Sequence, residues 1–110
     1  MVYTFPKSSP MPPRTVTIDA ADAIDLSSGK LIVSAILYAR TGTTDTLSTV
    51  NGLRTGQWVV LRPDSGDTIT IDVSGGNIRN SIDTNITLDG TDDRWVGEYD
   101  GTNLVELPSF

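Results

Sequence analysis

Apolar and polar residues alternate along this chain with the period of strands, not of helices. Thr15-Val16-Thr17-Ile18 alternates cleanly, as does Thr68 to Val73 (TITIDV). Lys30 to Ala39 is the longest apolar-rich run, and Gln57 to Arg62 (QWVVLR) is a strand ended by Pro63. Leu47 to Leu53 is a short strand broken by Asn51-Gly52, and Ile78, Ile82, Ile86 and Leu88 anchor short pieces between Asn and Asp residues. Arg94 to Asp100 and Leu104 to Leu107 form a last hairpin about Asp100-Gly101, with a second hairpin signal at Asp89-Gly90. Thr41 to Thr44, Asp64 to Asp67 and Gly75-Gly76 read as turns. Ala20 to Leu26 admits a single helical turn, but no window of about 12 residues sustains a helical period. Turn signals spaced roughly 8–12 residues apart predict an all-β fold: a compact antiparallel sandwich, roll or barrel of short strands. TVTIDA at 15–20 resembles TITIDV at 68–73, which generic strand chemistry explains without a solenoid repeat.

The front of the chain breaks this pattern. Residues 1–14 hold Pro6, Pro10, Pro12 and Pro13, four of the six prolines. Proline fixes φ and lacks an N–H, so the segment is predicted to be an extended, polyproline-like arm ahead of a β domain at 15–110. Val2, Tyr3 and Phe5 are apolar anchors of a kind solvated tails avoid. Ordering each residue costs about 1–2 kcal/mol, whereas burying Tyr3 and Phe5 returns about 1.5–3 kcal/mol each. The arm is therefore expected to bind a neighbouring subunit or partner through Val2, Tyr3, Phe5, Pro6, Pro10, Pro12 and Pro13.

Composition narrows the chemistry. Without Cys or His there is no thiolate, no His-based triad and no zinc site of the usual kind. Fourteen acids against eight bases give a net charge of −6, which disfavours nucleic acid as a partner. Twelve of the 14 acids are Asp, a residue of turns and caps; only Glu98 and Glu106 are Glu. The opening residues carry no cationic stretch followed by an apolar one, so no signal peptide is expected. Leu31 to Ala39 is half a membrane span, so no membrane partner is expected either.

Two acidic groupings invite a functional reading. Asp89-Gly90-Thr91-Asp92-Asp93 suggests a calcium loop, but it lacks EF-hand spacing and a closing bidentate Glu, and reads instead as a turn capped by Asp. Asp92, Asp93, Glu98 and Asp100 could pair for glycoside hydrolysis, yet they are ordinary surface residues of an acidic domain. No catalytic, cofactor-binding or metal-binding residue is assigned, and no enzyme activity is expected. Trp58 and Trp95 lie in strands where aromatics fill a core or a subunit interface, with glycan stacking as the other reading. Tyr99 is expected to pair across the final hairpin, and Trp58, Trp95 and Tyr99 form a possible subunit interface.

From Leu47 to Leu107 the chain resembles a β-rich module of tailed-phage virion proteins of the tail-fibre and head-decoration type. The resemblance runs through Val50-Asn51-Gly52, Thr55-Gly56-Gln57 with Val59-Val60-Leu61-Arg62, Thr68-Ile69-Thr70-Ile71, Gly76-Asn77-Ile78-Arg79, Ile86-Thr87-Leu88 and Glu98-Tyr99-Asp100-Gly101-Thr102-Asn103. Leu104 stands where that family usually has Trp, and Trp95 and Gly97 replace a plain Thr/Leu alternation. The resemblance implies a homotrimer in a virion and no catalytic residues. The expected function is that of a capsid decoration (cement) protein held by its arm on the major capsid protein or another virion protein. The alternatives are a tail-fibre or tail-tip component that can bind a glycan receptor, and a free carbohydrate-binding module.

Overall fold

The apolar runs become strands that stack side by side over long sequence separations. A computed structural model describes residues 13–107, which form eleven strands and no helix. These are β1 (Arg14–Thr17), β2 (Ala23–Asp25), β3 (Ile32–Tyr38), β4 (Thr44–Leu47), β5 (Thr49–Asn51), β6 (Trp58–Pro63), β7 (Thr68–Ile71), β8 (Ile78–Arg79), β9 (Ile86–Leu88), β10 (Trp95–Tyr99) and β11 (Leu104–Glu106). They make a six-stranded sheet in the order β1-β3-β6-β10-β11-β8, a two-stranded sheet β2-β5 and a three-stranded sheet β4-β7-β9.

The all-β class stands, whereas the pairing differs from the antiparallel expectation. Five of the eight strand pairings are parallel: β1 with β3, β3 with β6, β2 with β5, β4 with β7, and β8 with β11. Arg14 lies beside Ala35 and Ala35 beside Leu61; Ala23 lies beside Thr49, and Thr44 beside Thr68. These partners are roughly 20–30 residues apart, the span of one solenoid repeat. From β3 the chain visits the six-stranded sheet, the β4 sheet and the β5 sheet in turn, then returns through β6 and β7 to Asn77, whose N–H donates to Ser48 O (3.1 Å) beside β5. The result is a short β-solenoid of three stacked rungs. The first rung is partial, made of β1 and β2. The last is closed by antiparallel strands, β9 on β7 and β10 on β6, with β11 hairpinned back onto β10. The Ala20–Leu26 stretch holds strand β2 and no helical turn. The segment between Asp89 and Trp95 joins two sheets, so Asp89-Gly90 is a corner and not a hairpin.

Alternation explains the core. In β3, Val33, Ala35 and Leu37 point inward, as do Val59, Leu61 and Pro63 in β6 and Ile69 and Ile71 in β7. They meet Ile18, Leu26, Leu47, Val50, Ile78, Leu88, Trp95 and Leu104 in one apolar column inside the rungs. At about 25 cal/mol per Å² of apolar surface removed from water, this column is the main stabilising term.

Side-chain amides and carboxylates take over backbone bonding at the corners. Gln57, only 5% exposed, accepts from Arg54 N (2.7 Å) and donates to Ser28 O (2.8 Å) and Lys30 O (2.7 Å), tying the corner before β3 to the corner before β6. Asn77 accepts from Val50 N (2.9 Å) and donates to Val50 O (2.8 Å), so one side chain supplies both bonds a third strand would give β5. Gly76, just before it, passes so close to Ser48 that a Cβ there would overlap the Ser48 carbonyl. Asp25-Leu26-Ser27 and Asp72-Val73-Ser74 use one device at the ends of β2 and β7: the Asp carboxylate accepts the Ser N–H (2.8 Å in each) and the Ser hydroxyl (2.6 and 2.7 Å).

Candidate functional site: the outer face of the six-stranded sheet

Strand geometry sends every residue between the core positions to the outside of the sheet. On β3 these are Ile32, Ser34, Ile36 and Tyr38, and on β6 they are Trp58, Val60 and Arg62. Register aligns them in rows across the strands. Ile32 lies beside Trp58, Trp58 beside Glu98, Glu98 beside Val105 and Val105 beside Arg79. The next row is Ser34, Val60 and Val96. The first row is unusually apolar for a surface: Ile32 is 39% exposed, Trp58 36% and Val105 36%, with Leu31 at 70% beside them. The Trp58 indole donates to Glu98 Oε2 (3.3 Å), which sets the ring across the sheet and places a carboxylate inside the apolar row.

A groove of about 460 Å³ opens at the N-terminal ends of β1 and β3, where Arg14, Lys30 and Ile32 meet Ser27, Ser28 and Ser34. Arg14 donates to Ser27 O (3.0 Å), which fixes the guanidinium at the groove wall. Two cations beside hydroxyls make this a locally basic edge on an acidic chain.

The residues expected at a subunit interface separate. Trp58 lies on the outer face. Trp95 does not: it is 1% exposed and belongs to the core, so it cannot meet a partner. Strand β10 turns Trp95 and Gly97 inward, and the missing side chain of Gly97 leaves the space that the Trp95 ring fills. Its Nε1 has no hydrogen-bond partner among the described residues. Tyr99 is half-buried against the core, pairs with Leu104 across the hairpin, and donates through its hydroxyl to Gly101 O (3.2 Å). Of the arm residues, Pro13 is half-buried, while Val2, Tyr3, Phe5, Pro6, Pro10 and Pro12 lie outside the described residues.

The acidic loops are occupied with backbone bonding. Asp93 Oδ2 accepts the N–H groups of Asp89 (2.9 Å) and Gly90 (3.1 Å), which holds the carboxyl below its ordinary pKa and gives the capped turn read from the sequence. Asp100 Oδ1 does the same for Asn103 (2.7 Å) and Thr102 (2.8 Å), with the same direction of shift. Glu106 moves the other way, because burial disfavours its charge. Among the described residues no three Asp or Glu side chains converge as a metal site would require.

Sequence reasoning missed Ile32, Val105 and the Arg14–Lys30 groove. The signal was present in Lys30 to Ala39, whose strand is apolar on both faces at its start, the pattern of a strand covered on both sides. Comparison with protein-family models, with curated proteins and with solved structures found no match.

Proposed function

We propose that this chain is a non-enzymatic structural protein of a tailed-phage particle, a head-decoration protein that works as an oligomer, with a homotrimer as the expected state. The observation that carries this reading is the outer sheet row Ile32–Trp58–Glu98–Val105, in which three exposed apolar side chains flank one carboxylate on a stacked scaffold. Exposed apolar side chains gathered in one row around a charge suit contact with another macromolecule. The second support is the placement of the N-terminal segment: it enters at Arg14, on the edge strand of the same sheet. The third is the resemblance of Leu47 to Leu107 to virion modules, an argument by analogy.

A tail-fibre role is the second reading. It is favoured by the parallel rungs, whose edges on β1, β2 and β4 carry no further strand among the described residues and so permit continued stacking. Electron microscopy of the particle distinguishes the two. Density on the head shell, with particles that break at lower temperature when the protein is absent, is the decoration outcome. Density on the tail, with intact heads and lost adsorption, is the fibre outcome. Absence from the particle overturns both.

A further inference from the structure

We propose that the Ile32–Trp58–Glu98–Val105 row is the seat of residues 3–7 of a second copy, so that copies are joined by exchanged N-terminal arms. The inference rests on the assembly role proposed above and names its contact. Three observations point to this occupant. Residues 1–12 join the described structure at Pro13 and Arg14, on the same sheet as Ile32 and Trp58, with Arg14 beside Ala35 three residues along β3 from Ile32 and β1, β3 and β6 parallel. In an extended chain alternate residues share a face, so Tyr3, Phe5 and Lys7 would present two aromatics and a cation together. The row offers the complement: Ile32, Trp58 and Val105 for the rings, and Glu98 for the ammonium. All 14 acids of the chain lie beyond residue 12, so the arm is cationic and the rest of the molecule acidic. The basic groove at Arg14 and Lys30 is, by the same charge argument, the wrong seat for Lys7.

The chain's own arm is the poorer occupant. From Phe5 to Arg14 an extended segment reaches about 30 Å, and a return to its own sheet requires reversal between Lys7 and Arg14. Pro10, Pro12 and Pro13 fix φ there and hold each preceding residue extended. The better seat for the arm is therefore a neighbour's sheet.

The chain has no Cys, so Thr4→Cys gives a unique site for a spin label on the opposite face of the arm. A mixture of labelled chains with isotope-enriched unlabelled chains is expected to broaden the amide signals of Ile32 and Val105 and the Trp58 indole signal in the unlabelled copies. Broadening confined to the labelled molecule itself, or none at these positions, overturns the inference. Full-length Tyr3→Ser/Phe5→Ser, altered outside the described fold, is expected to weaken self-association at least about tenfold in sedimentation experiments, and Glu98→Lys to weaken it in an otherwise unchanged amide spectrum. Association unaltered by these substitutions, or a monomer at every concentration, also overturns it. Exchange in solution without localisation to a particle sinks the phage reading alone; localisation without exchange sinks the inference alone.

Discussion

At the scale of single residues, the fold depends on a few polar side chains that do the work of backbone. Gln57→Ala leaves Arg54 N, Ser28 O and Lys30 O without their partner, and is expected to cost at least about 2 kcal/mol in chemical denaturation. Gly97→Val places a side chain where the Trp95 ring lies, and is expected to cost about 1–3 kcal/mol or more, with a shift in Trp fluorescence. Glu106 carries the opposite sign. Its folded pKa is raised above the ordinary 4.5, so its stabilising contribution is complete below that value and is lost as pH rises through the folded pKa. Glu106→Gln is therefore expected to raise Tm at pH 7 and to give no gain near pH 3. The sequence left Trp95 between core and subunit interface, because Arg94 to Tyr99 reads equally well with either face inward. What decides is Gly97, whose value as empty space is visible only once Trp95 is folded over it.

At the scale of elements, strand positions were legible and strand partners were not. The strands β3, β6, β7 and β10 fall where alternation marks them, and the β10–β11 hairpin forms about Asp100-Gly101 as its turn residues predict. The parallel rungs escaped notice because a corner between sheets uses the same Asp and Gly residues as a hairpin turn. Asp64 to Asp67 closes with Asp67 N donating to Asp64 O (3.0 Å), yet leads from β6 to a strand in another sheet. Nor do the rungs repeat residues: Arg14, Ala35 and Leu61 are stacked neighbours with nothing in common but position. The outer row was partly legible, in Trp58; Ile32 and Val105 join it only through register. The final hairpin also gives an acid-sensitive point. Asp100 has a lowered pKa because Asn103 and Thr102 donate to it, so its contribution is present above the ordinary carboxylate range and lost as pH falls through the folded value. Asp100→Ala is expected to destabilise near neutral pH and to matter progressively less in acid, as read from melting curves across pH.

At the scale of the whole molecule, stability is distributed unevenly along the stack. In a solenoid each rung is held by its neighbours, and the first rung has a neighbour on one side only among the described residues. Hydrogen exchange is expected to be fastest at β1 and β2, and slowest at β6 and β7, which have strands on both sides. Exchange that is uniform across these strands would show instead that the rungs open together.

The closing strands give the stack a direction. At one end β9 and β10 run against the grain of the rungs before β11 and β8 restore it at the sheet edge, while at the other β1, β2 and β4 present a parallel template directly. Additional coils can therefore be spliced in ahead of β1 in keeping with the existing register.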